Sequence, residues 1–221
     1  MFAGLDTAFL ITAFVTLFVV IDPVGLTPIF VAITRGMTAA QRRAVALRAC
    51  VIAVLLLIAF GLLGEQILAF IGISMPAFKI AGGLLLFLTA LDMLFERRTE
   101  RREGKAGEGD TPPPDADPSV FPLAMPLIAG PGAMTAMILL TGQASAQGGG
   151  WAGVLAVHVV MLAVVAAVWL LFLAATPLER GLGRTGVVVI TRLLGMLLAA
   201  LSVQFVIDGL ADIGAFGATS A

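Results

Sequence analysis

The chain of 221 residues is 60% apolar and only 12% charged, with a formal net charge of −1 and a mean hydropathy of +1.08. Because the apolar residues come in long runs, this composition excludes a soluble globular protein and predicts a polytopic membrane protein. The single Cys50 excludes an internal disulfide and argues against a cysteine-based metal site.

Six apolar runs are long enough, at about 20 residues or more, to cross the hydrocarbon core of a bilayer as helices. They predict six transmembrane spans, at 8–33, 45–64, 67–95, 120–141, 151–175 and 186–210. The first run has no Lys or Arg before it and is too long for a cleaved secretory signal, so we expect it to be retained. The predicted fold is therefore all-α and integral to the membrane, with little chain left over for a soluble domain.

The first span is interrupted about halfway by Asp22-Pro23-Val24-Gly25. Proline removes a backbone donor and clashes with the preceding turn, and unwound backbone at membrane depth is tolerated only where it is buried in protein or lines a cavity. The break would free carbonyls at 19–21 to accept from an ammonium group, and Thr27 adds a hydroxyl. Asp22 is the one carboxylate near the centre of a span. Three roles are open to it: pairing with a substrate ammonium, carrying a coupling proton, or capping the broken helix.

The basic residues predict an orientation in the membrane. Eleven of the thirteen Lys and Arg residues lie in or beside three loops, predicted at 35–44, 96–118 and 176–185. Because Lys and Arg accumulate on the cytoplasmic side, we expect these loops in the cytoplasm and both termini outside. The loop at 96–118 is rich in charge and proline, which predicts a solvated linker.

Two pairs of segments reveal an internal repeat, since 79–85 aligns with 192–198 and 23–27 aligns with 131–135. Each copy holds three spans, an odd number, so the second copy enters the membrane from the opposite side. Such inverted repeats are common in secondary transporters, whose substrate sites lie near the midplane where discontinuous helices meet. The predicted organisation is a three-helix repeat, a cytoplasmic linker and an inverted three-helix repeat, at 1–95, 96–118 and 119–221.

The second copy is broken at Gly130-Pro131-Gly132, again about halfway along its first span. A helix that restarts at the proline leaves the amides of Gly132, Ala133 and Met134 without partners inside the helix, and their dipoles favour a negative charge. Glycine lets a ligand approach the backbone closely, and Thr135 adds a hydroxyl one turn on. We therefore predict a carboxylate site here, so that the two breaks together suit a small zwitterion. The alternative is that Pro and Gly serve only as kinks that let the spans pack closely.

Lys79 and Arg192 are candidates for gating or for a charge pair. Lys79 is predicted near the centre of the third span, far from water, so we expect it to pair with a carboxylate, for which Asp22 is a candidate, or with carbonyls of a broken helix. Arg192 starts about two turns inside the cytoplasmic end of its span and can snorkel to the interface. Asp92 and Asp212, near the ends of spans three and six, are expected to be hydrated boundary residues. Small residues predict close contacts of spans three and six, namely Gly82, Gly83, Gly195 and Ala199.

Three groups of residues carry a resemblance to a known family, at 22–30, at 122–133, and at 191–196 together with 203–209. On these segments the chain resembles the MarC family of bacterial inner-membrane proteins, which is related to small neutral amino acid transporters and more distantly to LysE-type exporters. Leu26 stands where the family usually has Asn, a difference that bears on specificity. The resemblance implies six spans and, for some relatives, uptake or exchange of glycine, alanine and similar amino acids.

The sequence shows no Gly-rich phosphate loop, zinc motif, nucleophile elbow or aromatic and basic pattern. We therefore expect neither an enzyme nor a nucleic-acid binder, and no cofactor or metal. With the resemblance, the residues predict a proton-coupled secondary transporter of small neutral amino acids that works by alternating access around the two broken spans. Its partners would be the small-molecule substrate and the lipid bilayer, with an oligomer possible. The alternatives are an exporter of amino acids or other small metabolites and a non-transporting membrane scaffold or sensor.

Overall fold

The computed structural model describes residues 7–95 and 117–215, which are almost entirely helical and include no β-strand. A segment of wide, irregular turns at Ser119–Ile128, here called the proline segment, precedes the helix at Pro131–Ala144, and a second wide turn at Ser145–Gly149 follows that helix. The predicted all-α membrane fold is confirmed. The predicted linker at 96–118 lies outside the described residues except for its last two positions. The helices are, in chain order, α1 (Thr7–Ile21), α2 (Pro23–Ile33), α3 (Ala39–Ile71), α4 (Met75–Leu94), α5 (Pro131–Ala144), α6 (Gly150–Leu173) and α7 (Ala175–Asp212).

Five stretches of helix are long and apolar enough to cross a membrane. α1 and α2 continue as one span of 27 residues, and the other four are α3, α4, α6 and the part of α7 from Thr185 to Asp212. The proline segment and α5 are bent by 53° relative to each other and together count as a sixth span. Each half of the described chain thus has a broken or bent span followed by two long helices. This order agrees with two three-helix copies, whose inverted relation stays a prediction.

The two interrupted spans occupy the middle of the bundle. Every residue of α5 from Thr135 to Gly142 is buried. In the first span 61% of the most apolar window is buried, compared with 28% for α4 and for the span within α7. The outer helices expose apolar side chains, such as Leu55 and Phe70, as surfaces in contact with lipid require. Protein therefore encloses the first break, where Asp22 is buried, whereas at the second break Gly130 and Gly132 are half-buried and Pro131 is exposed.

The boundary between the second and third spans differs from the prediction. α3 runs for 33 residues because Thr38 and Gln41 form a capping box at its start and Gly72, with φ 84°, ends it in the left-handed conformation. Ser74 then caps α4 by accepting from the amide of Ala77 at 3.4 Å. Residues 67–71 belong to the second span because a run of apolar residues gives no signal for where a turn falls. Lys79 consequently lies in the second turn of α4 and not near the centre of its span.

α4 and α7 make the most extensive helix-to-helix contact among the described residues. A Cβ added to Gly83 would lie 2.7 Å from the carbonyl oxygen of Ser202, and one added to Gly195 would lie 2.9 Å from the Cβ of Met93. These two glycines let the helices approach closely, as predicted. Gly82 instead faces α5, where a Cβ would lie 2.7 Å from a methyl group of Thr135.

Gly83→Ala is expected to lower the free energy of unfolding by about 1–3 kcal/mol, because the new methyl group meets backbone that cannot rotate away. Gly181→Ala is the matched control, since nothing lies within 4 Å of a Cβ at this exposed position of α7. Thermal unfolding of the two purified variants in the same detergent measures the difference. Equal stability of the two variants would contradict a close α4–α7 contact at Gly83.

Candidate functional site

The first break is a single residue wide. Asp22, between α1 and α2, is 1% exposed and adopts the left-handed conformation with φ 57° and ψ 64°. Its own amide still donates to the carbonyl of Phe18 at 2.9 Å, and its carbonyl accepts from the amide of Leu26 at 3.0 Å. The carboxylate oxygen Oδ1 accepts from the amide of Gly25 at 3.0 Å. Of the three roles open to Asp22, helix capping is therefore the one that its hydrogen bonding displays.

The residues after Asp22 determine which backbone groups at the first break are paired. Pro23 has no amide hydrogen to give to the carbonyl of Val19, and the amide of Gly25, which a continuous helix would direct to Ile21, is held by the cap. A Cβ on Gly25 would collide with the Asp22 carboxylate, which explains the glycine. The buried hydroxyl of Thr27 donates to the carbonyl of Pro23 at 3.0 Å. The first break thus pairs the amide of Gly25 and the hydroxyl of Thr27 from within, while the carbonyls of Val19 and Ile21 lose the donors that a continuous helix would give them.

The second break leaves two amides open, that is, without a hydrogen-bond acceptor among the described residues. Gly130 has an extended conformation, α5 begins at Pro131, and no side chain caps the helix. The amide of Met134 donates to the carbonyl of Gly130 at 3.0 Å, so its prediction as an unpaired group is wrong. The reason is that the carbonyl of an N-cap residue already accepts the first bond of the helix. Among the described residues no acceptor lies opposite the amides of Gly132 and Ala133.

The proline segment shapes the approach to these amides. Phe121 and Met125 adopt extended conformations within it, and the amide of Ala129 donates to the carbonyl of Ala124 at 2.9 Å. The carbonyl of Pro126 lies where a Cβ on Gly130 would be placed, so a side chain at this N-cap position has no room. The chain therefore cannot cap α5 from residue 130 as it caps α2 from Asp22.

Asp117 anchors the start of the proline segment. Its Oδ1 accepts from the amide of Ser119 at 3.0 Å and from the hydroxyl of the same residue at 2.7 Å. Its Oδ2 pairs with the guanidinium of Arg48 on α3 at 2.7 Å. The hydrogen bonds from Ser119, more than the charge of Arg48, hold the pKa of Asp117 below its usual value. The segment is thereby tied to α3 at its first residue.

A cavity of about 310 Å³ opens at the second break, between the end of α1, the face of α4, the proline segment and the start of α5. It brings together four residues predicted for the site, Gly130, Pro131, Gly132 and Ala133. The other predicted binding residues do not line it, and these are Asp22, Pro23, Gly25, Thr27 and Thr135. The predicted site is therefore divided: the amide half lies in the cavity, and the first break lies apart from it. The remaining lining residues are Val20, Leu85, Thr89, Asp92, Phe121, Pro122, Pro126, Leu127 and Ile128.

Two polar residues of the cavity were not among the predicted site residues. Asp92, expected as a hydrated boundary residue, is the only ionisable side chain among the described residues that line the cavity. Thr89 donates its hydroxyl to the carbonyl of Leu85 at 3.0 Å, which leaves its oxygen able to accept a further hydrogen bond. Leu85, Thr89 and Asp92 are spaced four and three residues apart, so they share one face of α4. The sequence shows that Thr89 and Asp92 are polar residues on one face of an apolar helix, and only the packing shows that this face meets the second break.

Lys79 and Arg192 lie away from the cavity. The ammonium of Lys79 contacts the carboxylate of Asp212 on α7 at 2.6 Å, so the expected pairing with a carboxylate is confirmed, but the partner is Asp212 and not the candidate Asp22. The reason is the late start of α4, which places Lys79 close to the end of the bundle where α7 ends. Arg192 is an exposed residue of α7 and does not line the cavity.

The fold defines a polytopic, all-helical membrane protein, and the cavity lies at a broken span. The family model of the MarC family integral membrane protein matches residues 7–214. A UPF0056 membrane protein of Archaeoglobus fulgidus is 40% identical over 209 residues, which cover 93% of each chain. The UPF0056 membrane protein YvbG of Bacillus subtilis is 34% identical over 203 residues, 92% of this chain and 94% of YvbG. The UPF0056 inner membrane protein YhgN of Escherichia coli is 33% identical over 204 residues, 91% of this chain and 95% of YhgN. No solved structure matches the chain at a significant level. The chain belongs to the MarC family.

Two substitutions of Asp22 separate its capping role from its charge. Asn keeps an oxygen for the amide of Gly25 and tolerates the left-handed conformation, whereas Ala removes the cap, so Asp22→Ala is expected to lose about 0.5–2 kcal/mol more stability than Asp22→Asn. Thermal unfolding measures this difference. If Asp22 also carries a coupling proton, Asp22→Asn abolishes uptake driven by a pH gradient in proteoliposomes. Unchanged proton-driven uptake would leave Asp22 with the capping role alone.

The two partners of the Lys79–Asp212 pair are expected to respond unequally to substitution. The side chain of Lys79 is 14% exposed and that of Asp212 is 42% exposed. Asp212→Ala leaves a mostly buried ammonium without its carboxylate, at a cost of about 1–3 kcal/mol. Lys79→Met keeps the packing and leaves a carboxylate that water can solvate, so its cost is below about 1 kcal/mol. Equal losses in thermal unfolding would contradict this asymmetry.

Proposed function

We propose that the protein is a secondary transporter of small neutral amino acids and that the substrate carboxylate binds the amides of Gly132 and Ala133. The observation that carries the proposal is the contrast between the two breaks. In the alignment of the two copies, Asp22 corresponds to Gly130 and Gly25 corresponds to Ala133. The Asp22 carboxylate accepts from the amide of Gly25. A substrate carboxylate on Ala133 would repeat a contact that the protein already makes with its own side chain.

The electrostatics of the second break favour an anion. α5 begins with two amides that have no acceptor among the described residues, and the dipoles of its 14 residues add a partial positive charge at that end. The walls of the cavity contribute no Lys or Arg among the described residues, so the backbone supplies the positive potential. In an interior of low dielectric this potential is stronger than it would be in water.

The face of α4 supplies a partner for an ammonium group. The Oγ1 atom of Thr89 lies 3.8 Å from the place of a Cβ on Gly132, so the hydroxyl and the open amides are within reach of one small molecule. Asp92, one turn further along α4, adds a negative charge. The cavity thus offers amides for a carboxylate at one end and oxygen atoms for an ammonium group at the other, and an amino acid zwitterion carries both groups.

The walls of the cavity favour an uncharged side chain. The cavity volume of 310 Å³ is near the lower limit for ligand pockets, which is roughly 300 Å³. Apolar residues provide most of the remaining wall, among them Val20, Leu85 and Phe121. Neutral amino acids fit this description better than charged ones, and among them the family resemblance favours glycine and alanine.

A site at a broken helix in the middle of a bundle is the arrangement that secondary transporters use for alternating access. We further propose that transport is coupled to protons, with Asp22 and Asp92 as the candidate carriers. The proposed compartment is the inner membrane, which is the one named for the Escherichia coli relative.

The first test measures the thermal stability of the purified full-length protein with alanine, propionate or ethylamine. Alanine carries both charges, propionate only the carboxylate and ethylamine only the ammonium. Alanine at about 100 times its Kd is expected to stabilise the protein by about 2.7 kcal/mol, or roughly 5–10 °C for a chain of this size. The two half-ligands are expected to stabilise it far less, because each fills only one end of the site.

Substitutions in the cavity test whether alanine stabilises the protein by binding at the proposed site. Gly132→Leu places a side chain in the cavity and is expected to abolish stabilisation by alanine, whereas Gly181→Leu, at an exposed position of α7, is the matched control. Asp92→Asn is expected to weaken the response to alanine while leaving that to propionate. Thermal unfolding without ligand checks that each variant is folded. Stabilisation by alanine that survives Gly132→Leu would contradict the proposed site.

Transport is tested by uptake and counterflow of alanine in proteoliposomes with an imposed pH gradient. Uptake that depends on the gradient and is lost in Gly132→Leu is the expected result. Efflux under the same gradient would indicate an exporter. If no amino acid stabilises the protein and none is transported, the result favours a scaffold or sensor.

A further inference from the structure

A second cavity, of about 160 Å³, lies where α2, α3 and α6 meet. It is near the loops that carry the basic residues, which are predicted to be cytoplasmic. The proposed transport site does not use it. The residues that line it are Phe30, Ala39, Arg42, Arg43, Phe172 and Leu173.

The wall of this cavity is an aromatic pair that holds one of the arginines. The rings of Phe30 and Phe172 are stacked, with centroids 4.3 Å apart and an angle of 4° between their planes, and both residues are buried. The guanidinium carbon of Arg42 lies 5.6 Å from the centroid of the Phe30 ring. A cation at this distance is attracted by the face of the ring. Arg42 is therefore oriented before any ligand arrives, which lowers the entropy that binding costs.

The charges around the cavity are positive. Arg42 and Arg43 both line it, and Ala39 is the first residue of α3, whose amino end adds the positive end of a helix dipole. No Asp or Glu is among the described residues that line this cavity. Guanidinium groups bind phosphate oxygens through paired, charge-assisted hydrogen bonds. The cavity therefore suits a phosphate group, for which 160 Å³ is sufficient, and is too small for a whole phospholipid.

The two helices that hold the basic cavity also carry an apolar groove. This groove, of about 330 Å³, lies between α3 and α6 and is lined by apolar residues that include Leu47, Val51, Ala166 and Trp169. Leu47 is four residues after Arg43 on α3, and Trp169 is four residues before Leu173 on α6. Because residues four apart lie on the same face of a helix, the groove continues directly from the basic cavity toward the middle of the membrane.

We propose that the basic cavity and the apolar groove together bind one anionic phospholipid, with its phosphate on Arg42 and Arg43 and an acyl chain in the groove. Free phosphate would use the same two arginines, but only a lipid fills the groove as well. The cavity lies at the ends of α2, α3 and α6, the level at which the headgroups of a bilayer lie. The bound phosphate fixes Arg42 on Phe30, a residue of the second half of the broken first span. The lipid thereby holds α2 against α3 and α6.

The test measures lipid binding to the full-length protein by native mass spectrometry, using phosphatidylglycerol and phosphatidylcholine with identical acyl chains. Thermal stability in detergent is measured with the same lipids and with inorganic phosphate. Phosphatidylglycerol is expected to bind at least about tenfold more tightly than phosphatidylcholine and to raise the melting temperature. Inorganic phosphate at the same concentration is expected to have much less effect, because it leaves the groove empty.

Variants distinguish the two parts of the site. Arg42→Gln with Arg43→Gln is expected to weaken phosphatidylglycerol binding at least about tenfold, whereas Arg35→Gln, at an exposed arginine between α2 and α3 that does not line the cavity, is the control. Ala166→Phe fills the groove and is expected to weaken binding of the same lipid, and Ala163→Phe, exposed on α6 outside the groove, is its control.

Three results would overturn the proposal. The first is equal binding of phosphatidylglycerol by the wild type and the double arginine variant. The second is stabilisation by inorganic phosphate that matches stabilisation by the lipid, which would assign the cavity to a free anion. The third is an Ala166→Phe variant that binds the lipid as the wild type does. If the double variant proves unstable, Arg42→Lys with Arg43→Lys keeps both charges and is expected to fold and to bind more weakly than the wild type.

Discussion

Backbone hydrogen bonding at membrane depth is the constraint on which the rest of this structure depends. An amide that a helix leaves unpaired needs another acceptor, because the surrounding hydrocarbon offers none. At the first break the chain supplies that acceptor through the carboxylate of Asp22. At the second break Gly130 has no side chain to offer, and two amides open onto a cavity. The protein thus closes one break with its own carboxylate and keeps the other available to a ligand, and this difference supports the proposed transport site.

The helices around the breaks hold the cavity in place. α4 packs against α5 at Gly82 and against α7 at Gly83, and the Lys79–Asp212 ion pair ties α4 to α7 near one end. The face of α4 that carries Thr89 and Asp92 is therefore held toward the open amides. In α2, Phe30 stacks on Phe172 of α6 beside Arg42 of α3, so the helix that follows the first break is packed against both. Local contacts thus position both the proposed substrate site and the proposed lipid site.

Particular residues show how much of the site could be predicted from the sequence. Gly130, Pro131, Gly132 and Ala133 could be assigned to a site because proline and glycine inside an apolar helix have a direct physical consequence for backbone hydrogen bonds. Asp92 could not be assigned to the site, because its role depends on which helix faces the second break. The sequence does not show this, since a helix in lipid carries apolar residues on every side. The partner of Lys79 could not be identified, because apolar residues continue through the turn at Gly72 and conceal where α4 begins. The expected unpaired amide of Met134 is a local error, since the carbonyl of Gly130 accepts its hydrogen bond.

The sequence by itself determined the class of protein, the number of apolar runs and the positions of both breaks. Each of these follows from composition and from the chemistry of single residues, which act over one or two turns of helix. Only the tertiary structure decided which groups meet across helices: Asp92 with the cavity, Lys79 with Asp212, and Arg42 with the ring of Phe30. The physical reason is that the spans are similarly apolar all round, so hydropathy places them in the membrane without specifying how they turn toward each other. Close contacts at small residues and hydrogen bonds make that choice, and they exist only once the helices are packed.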